Sequence, residues 1–348
     1  MQMNQMGRTG VEISELCLGT MTFGTQTPED EAHAQIDMAL EAGINILDTA
    51  EMYPVNPISA DTQGASEAII GTWNAANPSR RQDYILATKH SGAGLAHIRN
   101  GAPISSASIP ETVEGSLRRL QTDYIDLYQL HWPNRGSYMF RQNWTYDPTT
   151  QNRADASAQI EDILEALQKQ IDKGNIRHIG LSNETAWGTA QWLRCSEDKG
   201  LPRMALIQNE YSLLCRMFDT DLAELSHYED IGLFCFSPLA AGWLSGKYQN
   251  AAVPDGSRMS LVPEMGGRKT PRTYTAVDAY LKIAQDAGID PIHMALAFCR
   301  TRPFMSSAIF GATRLGQLEH ILKSVEVNLS QDVLDAITAA HRANPMPY

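Results

Sequence analysis

The sequence predicts an α/β fold: a (β/α)8 TIM barrel with an N-terminal β-hairpin, forming one domain over residues 1–348. Three observations predict it. Eight short β-rich runs alternate with amphipathic helical stretches, which argues for a parallel sheet closed on itself. No GxGxxG turn follows an early strand, as an open dinucleotide-binding sheet would require. Three long irregular stretches, Met52–Ser66, Trp132–Ala154 and Ala241–Thr273, each follow a β-rich run, where the loops of a barrel's catalytic face lie.

The elements follow in order. Gly7-Arg8-Thr9-Gly10, between short extended runs, reads as a hairpin turn. The strand runs are Glu15–Gly19, Asn45–Asp48, Tyr84–Thr88, Tyr124–Leu130, Arg177–Leu181, Ala205–Asn209, Leu233–Ser237 and Ser307–Gly311. Helical stretches include Pro28–Ala42, Ile109–Leu120, Ala156–Lys173, Glu184–Asp198 and Asp219–Glu229. Thr27 reads as a helix cap with Pro28 at the first helical position and acids in the first turn. Gly43 and Gly174 read as C-terminal stops, and Ile163, Leu164, Leu167 and Ile171 as one buried stripe.

Composition narrows the function. Hydrophobic content of 43% supports a folded core. A net charge of −12 without a basic block makes nucleic acid and anionic membrane poor partners. The five cysteines form no CxxC pair, so reduced thiols, a cytoplasmic setting and no structural metal are expected. No basic-then-apolar leader opens the chain, and no apolar window approaches a membrane span. The sequence leaves oligomeric state open.

Ionisable side chains stand at three successive strand ends: Asp48, Lys89 and His131, with Tyr53 five positions after the aspartate. A lysine near a tyrosine favours the phenolate, a carboxylate holds the lysine, and a neutral histidine can orient a carbonyl oxygen. Tyr53 then reads as a proton donor, Lys89 and Asp48 as its tuning pair, His131 as the orienting group. Alone, each has a plainer role: a helix cap for Asp48, a surface position for Lys89, a core histidine for His131, a loop aromatic for Tyr53. Together at adjacent strand mouths they point to chemistry, because burying charge is costly.

The second half carries groups suited to a dinucleotide. Ser182-Asn183 and Gln208 can bond a carboxamide, and Tyr211 can stack on a flat ring. Ser237-Pro238-Leu239 leads into Gly242-Trp243-Leu244-Ser245-Gly246-Lys247, a small-residue turn with a cation for a pyrophosphate. Gly311-Ala312-Thr313-Arg314 opens a helix through Gln317, a phosphate site after the last strand, where Arg314 suits the 2′-phosphate of NADPH. Singly, Ser182-Asn183 could cap a helix, Tyr211 could be core, the glycine turn could be ordinary, and Arg314 could be surface. Phe23, Tyr53, Trp132 and Trp144 suggest an apolar or aromatic-lined pocket, although aromatic residues near a site are equally often packing.

These runs resemble the aldo-keto reductase superfamily, and within it the Tas-like bacterial branch near the potassium-channel β-subunits. The resemblance rests on Leu18–Gly24, Asp48–Tyr53, Ala87-Thr88-Lys89, Gln129–Pro133, Ile179–Glu184, Ile207–Ser212, Ser237-Pro238-Leu239, Gly246-Lys247-Tyr248 and Gly311-Ala312-Thr313, in order across nearly the whole chain. It implies NADPH-dependent carbonyl reduction on a barrel, with Asp48, Tyr53, Lys89 and His131 as the catalytic group. It further implies Gly19, Thr20 and Met21 beside the nicotinamide, and Arg258 over the cofactor. Relatives often carry an acid and an asparagine three and four places after Gln317; this chain has His320 and Ile321 there. Two other readings remain at this point. One is a cofactor-sensing partner protein with weak turnover. The other is a Schiff-base aldolase acting through Lys89.

Overall fold

The computed structural model describes residues Met1–Tyr348. Strands β1 (Met3–Gln5) and β2 (Glu12–Ser14) pair antiparallel across the Gly7–Gly10 turn. The barrel strands follow: β3 (Leu16–Gly19), β4 (Ile46–Asp48), β5 (Ile85–His90), β6 (Ile125–Leu130), β7 (Ile176–Ser182), β8 (Met204–Gln208), β9 (Gly232–Phe236) and β10 (Met305–Phe310). All neighbours are parallel in chain order, and β10 pairs with β3 to close the barrel. Every β-rich run of the sequence is a barrel strand, with ends displaced by one to a few residues.

The period of two explains how the interior is layered. Cys17, Ile46, Ile85, Ala87, Leu127, Leu206, Phe234 and Ile309 point inward and form an apolar floor, plugged from below by Met6 and Ile13 of the hairpin. Two residues further along their strands stand Asp48, Lys89, Gln129 and Gln208, which are therefore inward too, one layer higher. Outward residues such as Leu47, Leu86, Tyr128 and Ile207 join a separate 66-residue core between barrel and helices.

The helices cover that outer face. Helix Arg153–Asp172 buries Ile163, Leu164 and Leu167, as its spacing predicts. Gly43 and Gly174 sit just past helix ends at φ of 87° and 79°, a left-handed conformation glycine adopts without strain. Three local readings fail. Thr27 does not cap helix Glu29–Glu41: Pro28 holds the cap position without a side-chain bond, and the Thr27 hydroxyl meets that of Thr22 at 2.8 Å. Helix Ala65–Ala76 starts inside the stretch read as loop, and Thr185, not Ser182 or Asn183, caps helix Ala186–Lys199. No helix is long and apolar enough to cross a membrane.

Candidate active site

Register sets the site. Asp48 pairs with Ala87, Lys89 with Gln129, and Ser182 with Gln208, so these strand ends meet at one mouth of the barrel. The Lys89 ammonium, wholly buried, donates to Asp48 Oδ2 and to the Thr49 carbonyl, each at 2.7 Å. The other Asp48 oxygen accepts from Gln208 Nε2 at 2.8 Å and Gln129 Nε2 at 3.2 Å. Gln208 Nε2 also reaches Gln129 Oε1 at 3.1 Å. The carboxylate is thus held by three donors, and a charge this deep is tolerable only because it is paired and bonded.

Tyr53 hangs over this pair from the loop after β4. Lys89 Nζ lies 5.0 Å from its ring centroid, and the His131 ring meets it edge-on at 5.8 Å. Burial pushes the Tyr53 phenol up from its ordinary value; Lys89 pulls it down and Asp48 pushes it up again, and the net direction is upward. The lowering expected from the lysine alone is therefore outweighed by desolvation. Burial also works against the Lys89 charge, but Asp48 and Tyr53 more than offset it, so the ammonium is held protonated. His131 goes well below the ordinary imidazole range through burial and then the nearby Lys89 charge, so it is neutral. Lys89, held protonated, buried and twice bonded, is disfavoured as an amine nucleophile for a Schiff base.

Surrounding ion pairs hold the rim. Arg99 clamps Glu51 with two bonds of 2.8 Å, and Glu51 accepts from the Ser91 amide at 2.6 Å, two residues past Lys89. Glu184, buried, pairs with Arg135 and takes the Thr185 amide at 2.7 Å.

The other half of the mouth is built differently. Asn183, at φ 53°, donates to the His131 carbonyl at 2.9 Å and to Ser182 Oγ at 3.1 Å, but its buried Oδ1 has no partner. Ser182 Oγ donates to the Gln208 carbonyl at 2.9 Å. Tyr211 is sealed in, its hydroxyl on Asp219 at 2.7 Å and its ring stacked on Phe298 at 6.1 Å. Gly19 lies where a Cβ would come within 2.7 Å of Ile309 Cγ2, and the Thr20 amide and hydroxyl both bond the Asp48 carbonyl. Met21 is half-buried beside Asn56.

After β9 the chain turns through Ser237 at φ 55°, with Pro238 and Leu244 buried and Leu239 half-buried. Gly242 has φ 93°, and a Cβ there would sit 3.0 Å from Lys247 Cε, so glycine lets the lysine fold over the turn. Lys247 and Arg258 have no acidic partner. Burial, then the neighbouring Arg268, brings Arg258 down to about 10, and burial, then Arg258, lowers Lys247. At the end of β10, Gly311 and Arg314 are exposed, and Gln317 Oε1 accepts from the Thr313 amide at 2.8 Å. The first amide of helix Leu315–Leu322 bonds the Glu31 carboxylate, a group the sequence did not place there.

The aromatic candidates separate. Trp132 packs on His131 at 4.9 Å and edge-on to Phe140 at 6.2 Å, Phe23 is fully buried, and Trp144 stands 60% exposed on the loop. A narrow cleft adjoins Asn183, between Met139–Asn143 and Glu210–Phe218; Tyr53 and His131 do not line it. Sequence reasoning missed Gln129 as a ligand of Asp48. The signal was its position two residues before His131, on the same inward face.

The profile of the Aldo/keto reductase family matches residues 15–342. The chain is 42% identical over 353 aligned residues to "Protein tas" of Escherichia coli (strain K12), covering 100% of this chain and 99% of that protein. It is 30% identical to "Uncharacterized oxidoreductase YrpG" of Bacillus subtilis, covering 96% and 94%. It is also 30% identical to a "Probable voltage-gated potassium channel subunit beta" of Arabidopsis thaliana, covering 99% and 98%.

Proposed function

Given that this chain belongs to the aldo/keto reductase family, we propose that it reduces an aldehyde or ketone to the alcohol with NADPH, with Tyr53 as the proton donor. One observation carries the reading: a phenol, a buried ammonium and a neutral imidazole share one barrel mouth with a set of cations that lack anions.

The residues fit the cofactor. Asn183 Oδ1, buried and unpartnered, is an acceptor for a carboxamide NH2. Lys247 and Arg258 suit the pyrophosphate, and Thr313, Arg314 and Gln317 the adenosine phosphate. Gln208 contributes less directly, since its amide nitrogen is taken by Asp48 and Gln129. When bound, the reduced nicotinamide supplies the hydride for the carbonyl carbon.

The protein's own part is proton and position. His131 donates an N–H to the carbonyl oxygen and turns it toward Tyr53. The Tyr53 O–H bond breaks as its proton passes to that oxygen, leaving a phenolate beside the Lys89 ammonium. Asp48 keeps that ammonium in place through the 2.7 Å contact. Water then returns the proton to Tyr53. Positioned acid catalysis of this kind is worth about 10²–10⁴-fold.

The test is to follow NADPH absorbance against a panel of aldehydes and ketones. The reading predicts substrate-dependent loss of absorbance; no consumption with any carbonyl, in protein that binds NADPH, would leave a nucleotide-sensing role. The likeness to a protein named as a channel β-subunit favours that second reading, and turnover below roughly 1 s⁻¹ with every carbonyl would select it.

A further inference from the structure

Outside the barrel, helix Pro291–Arg300 meets helix Leu315–Leu322 at His293 and His320, and three side chains with metal-ligating atoms come together there. They are Asp290, His293 and His320, each half-buried, with one ligand atom apiece all within 4.8 Å of one another. Neither the barrel mouth nor the residues proposed for the cofactor use these three side chains.

We propose that Asp290, His293 and His320 form a binding site for a single zinc-class divalent cation. The donor set is two imidazoles and one carboxylate without a thiolate, which suits Zn²⁺ and, among related ions, Co²⁺ and Ni²⁺, rather than the all-oxygen shells of Mg²⁺ or Ca²⁺. His320 Nε2 and Asp290 Oδ2 are 3.2 Å apart. Ligands at 2.0–2.2 Å in a tetrahedral shell are separated by about 3.3 Å, so this edge of the shell is already formed.

The supporting bonds are those a ligand set needs. Asp290 Oδ1 accepts from the amides of Ile292 at 2.8 Å and His293 at 3.2 Å, which fixes the carboxylate and leaves Oδ2 facing His320. His293 Nε2 donates to the His320 carbonyl at 2.7 Å, which fixes its tautomer and leaves the Nδ1 lone pair for a cation. The two rings lie 4.5 Å apart. Partial exposure leaves a fourth position for water. The cation would tie the helix bearing Gln317 and His320 to the one before β10.

The experiment is equilibrium titration of the chelator-treated full chain with Zn²⁺ against a chromophoric competitor, with Co²⁺ absorption as a second readout. The expected result is one tight equivalent per chain, with Co²⁺ bands free of thiolate charge transfer. His320→Gln and His293→Gln should each weaken that equivalent at least about tenfold, the scale on which even outer partners of a metal act. Asp290→Asn, which keeps the helix cap, should weaken it as well. Metal-free melting of all three variants should match the parent, separating lost ligation from lost folding. Absence of a tight equivalent, thiolate bands from the cysteines, or unchanged affinity in His320→Gln would overturn the site.

Discussion

The two halves of the barrel mouth solve opposite electrostatic problems. At β4–β6 every charge is answered from within: Lys89 by Asp48, and Asp48 again by Gln129 and Gln208. At β7–β10 the cations Lys247 and Arg258 crowd each other without an anion, and Asn183 keeps a buried acceptor empty. The first half is complete before any ligand arrives, as groups that must act on a proton without reorganising should be. The second half has the donors and acceptor that the proposed dinucleotide, a polyanion with an amide, would engage. A protein carries such unsatisfied charge at a cost in stability, which ligand binding can offset.

The sharpest break of that contrast is Tyr53→Phe. It removes only the proton donor, so carbonyl reduction should fall by about 10²–10⁴-fold while NADPH affinity holds. Steady-state rates and fluorescence titration check both. Next is Lys89→Met, which leaves Asp48 buried without its cation; urea unfolding should lose about 3–5 kcal/mol. Arg258→Ala should leave the fold alone and weaken NADPH by roughly 10–100-fold, the range for a charge-assisted contact of about 1.5–3 kcal/mol.

A smaller effect is the pH profile. His131 lies well below its ordinary value of 6.5, so its neutral form survives as pH falls through that range. Tyr53 lies above 10, so its proton is kept as pH rises to that point. Hence kcat/KM for the carbonyl, with NADPH saturating, should stay level across pH 6.5–10, and a break near 6.5 would contradict the placement of His131. Smallest is Glu31→Gln. Its carboxylate sits on the first amide of the helix that follows Arg314, where the 2′-phosphate is proposed to lie. Removing the charge should raise the preference for NADPH over NADH about two- to fivefold, the scale of one charge at a helix end.

Much of this was legible in the sequence because strand ends in a barrel converge. Asp48, Lys89 and His131 close β-rich runs, so a single assumption of parallel closure brings them together. The alternation of two would also have found Gln129, which needed only to be read back from His131. Other features were hidden for physical reasons. The direction of the Tyr53 shift depends on how much water its loop excludes, which no spacing encodes. Thr27 had the right type for a cap, but its hydroxyl turns back to Thr22, five residues earlier, instead of forward to the helix. Glu31 and Leu315, like His293 and His320, meet only because helices wrap the barrel, and separations of 284 and 27 residues give no local signal.

The most direct test is a crystal structure of the protein with NADP⁺ bound. The nicotinamide C4 should stand beside the Tyr53 hydroxyl with room for one carbonyl between them, roughly 3–3.5 Å from each reacting atom. The carboxamide should rest on Asn183 and the phosphates on Lys247 and Arg258. A dinucleotide bound away from the Tyr53 side of the mouth, or with those two cations still facing each other alone, would contradict the account.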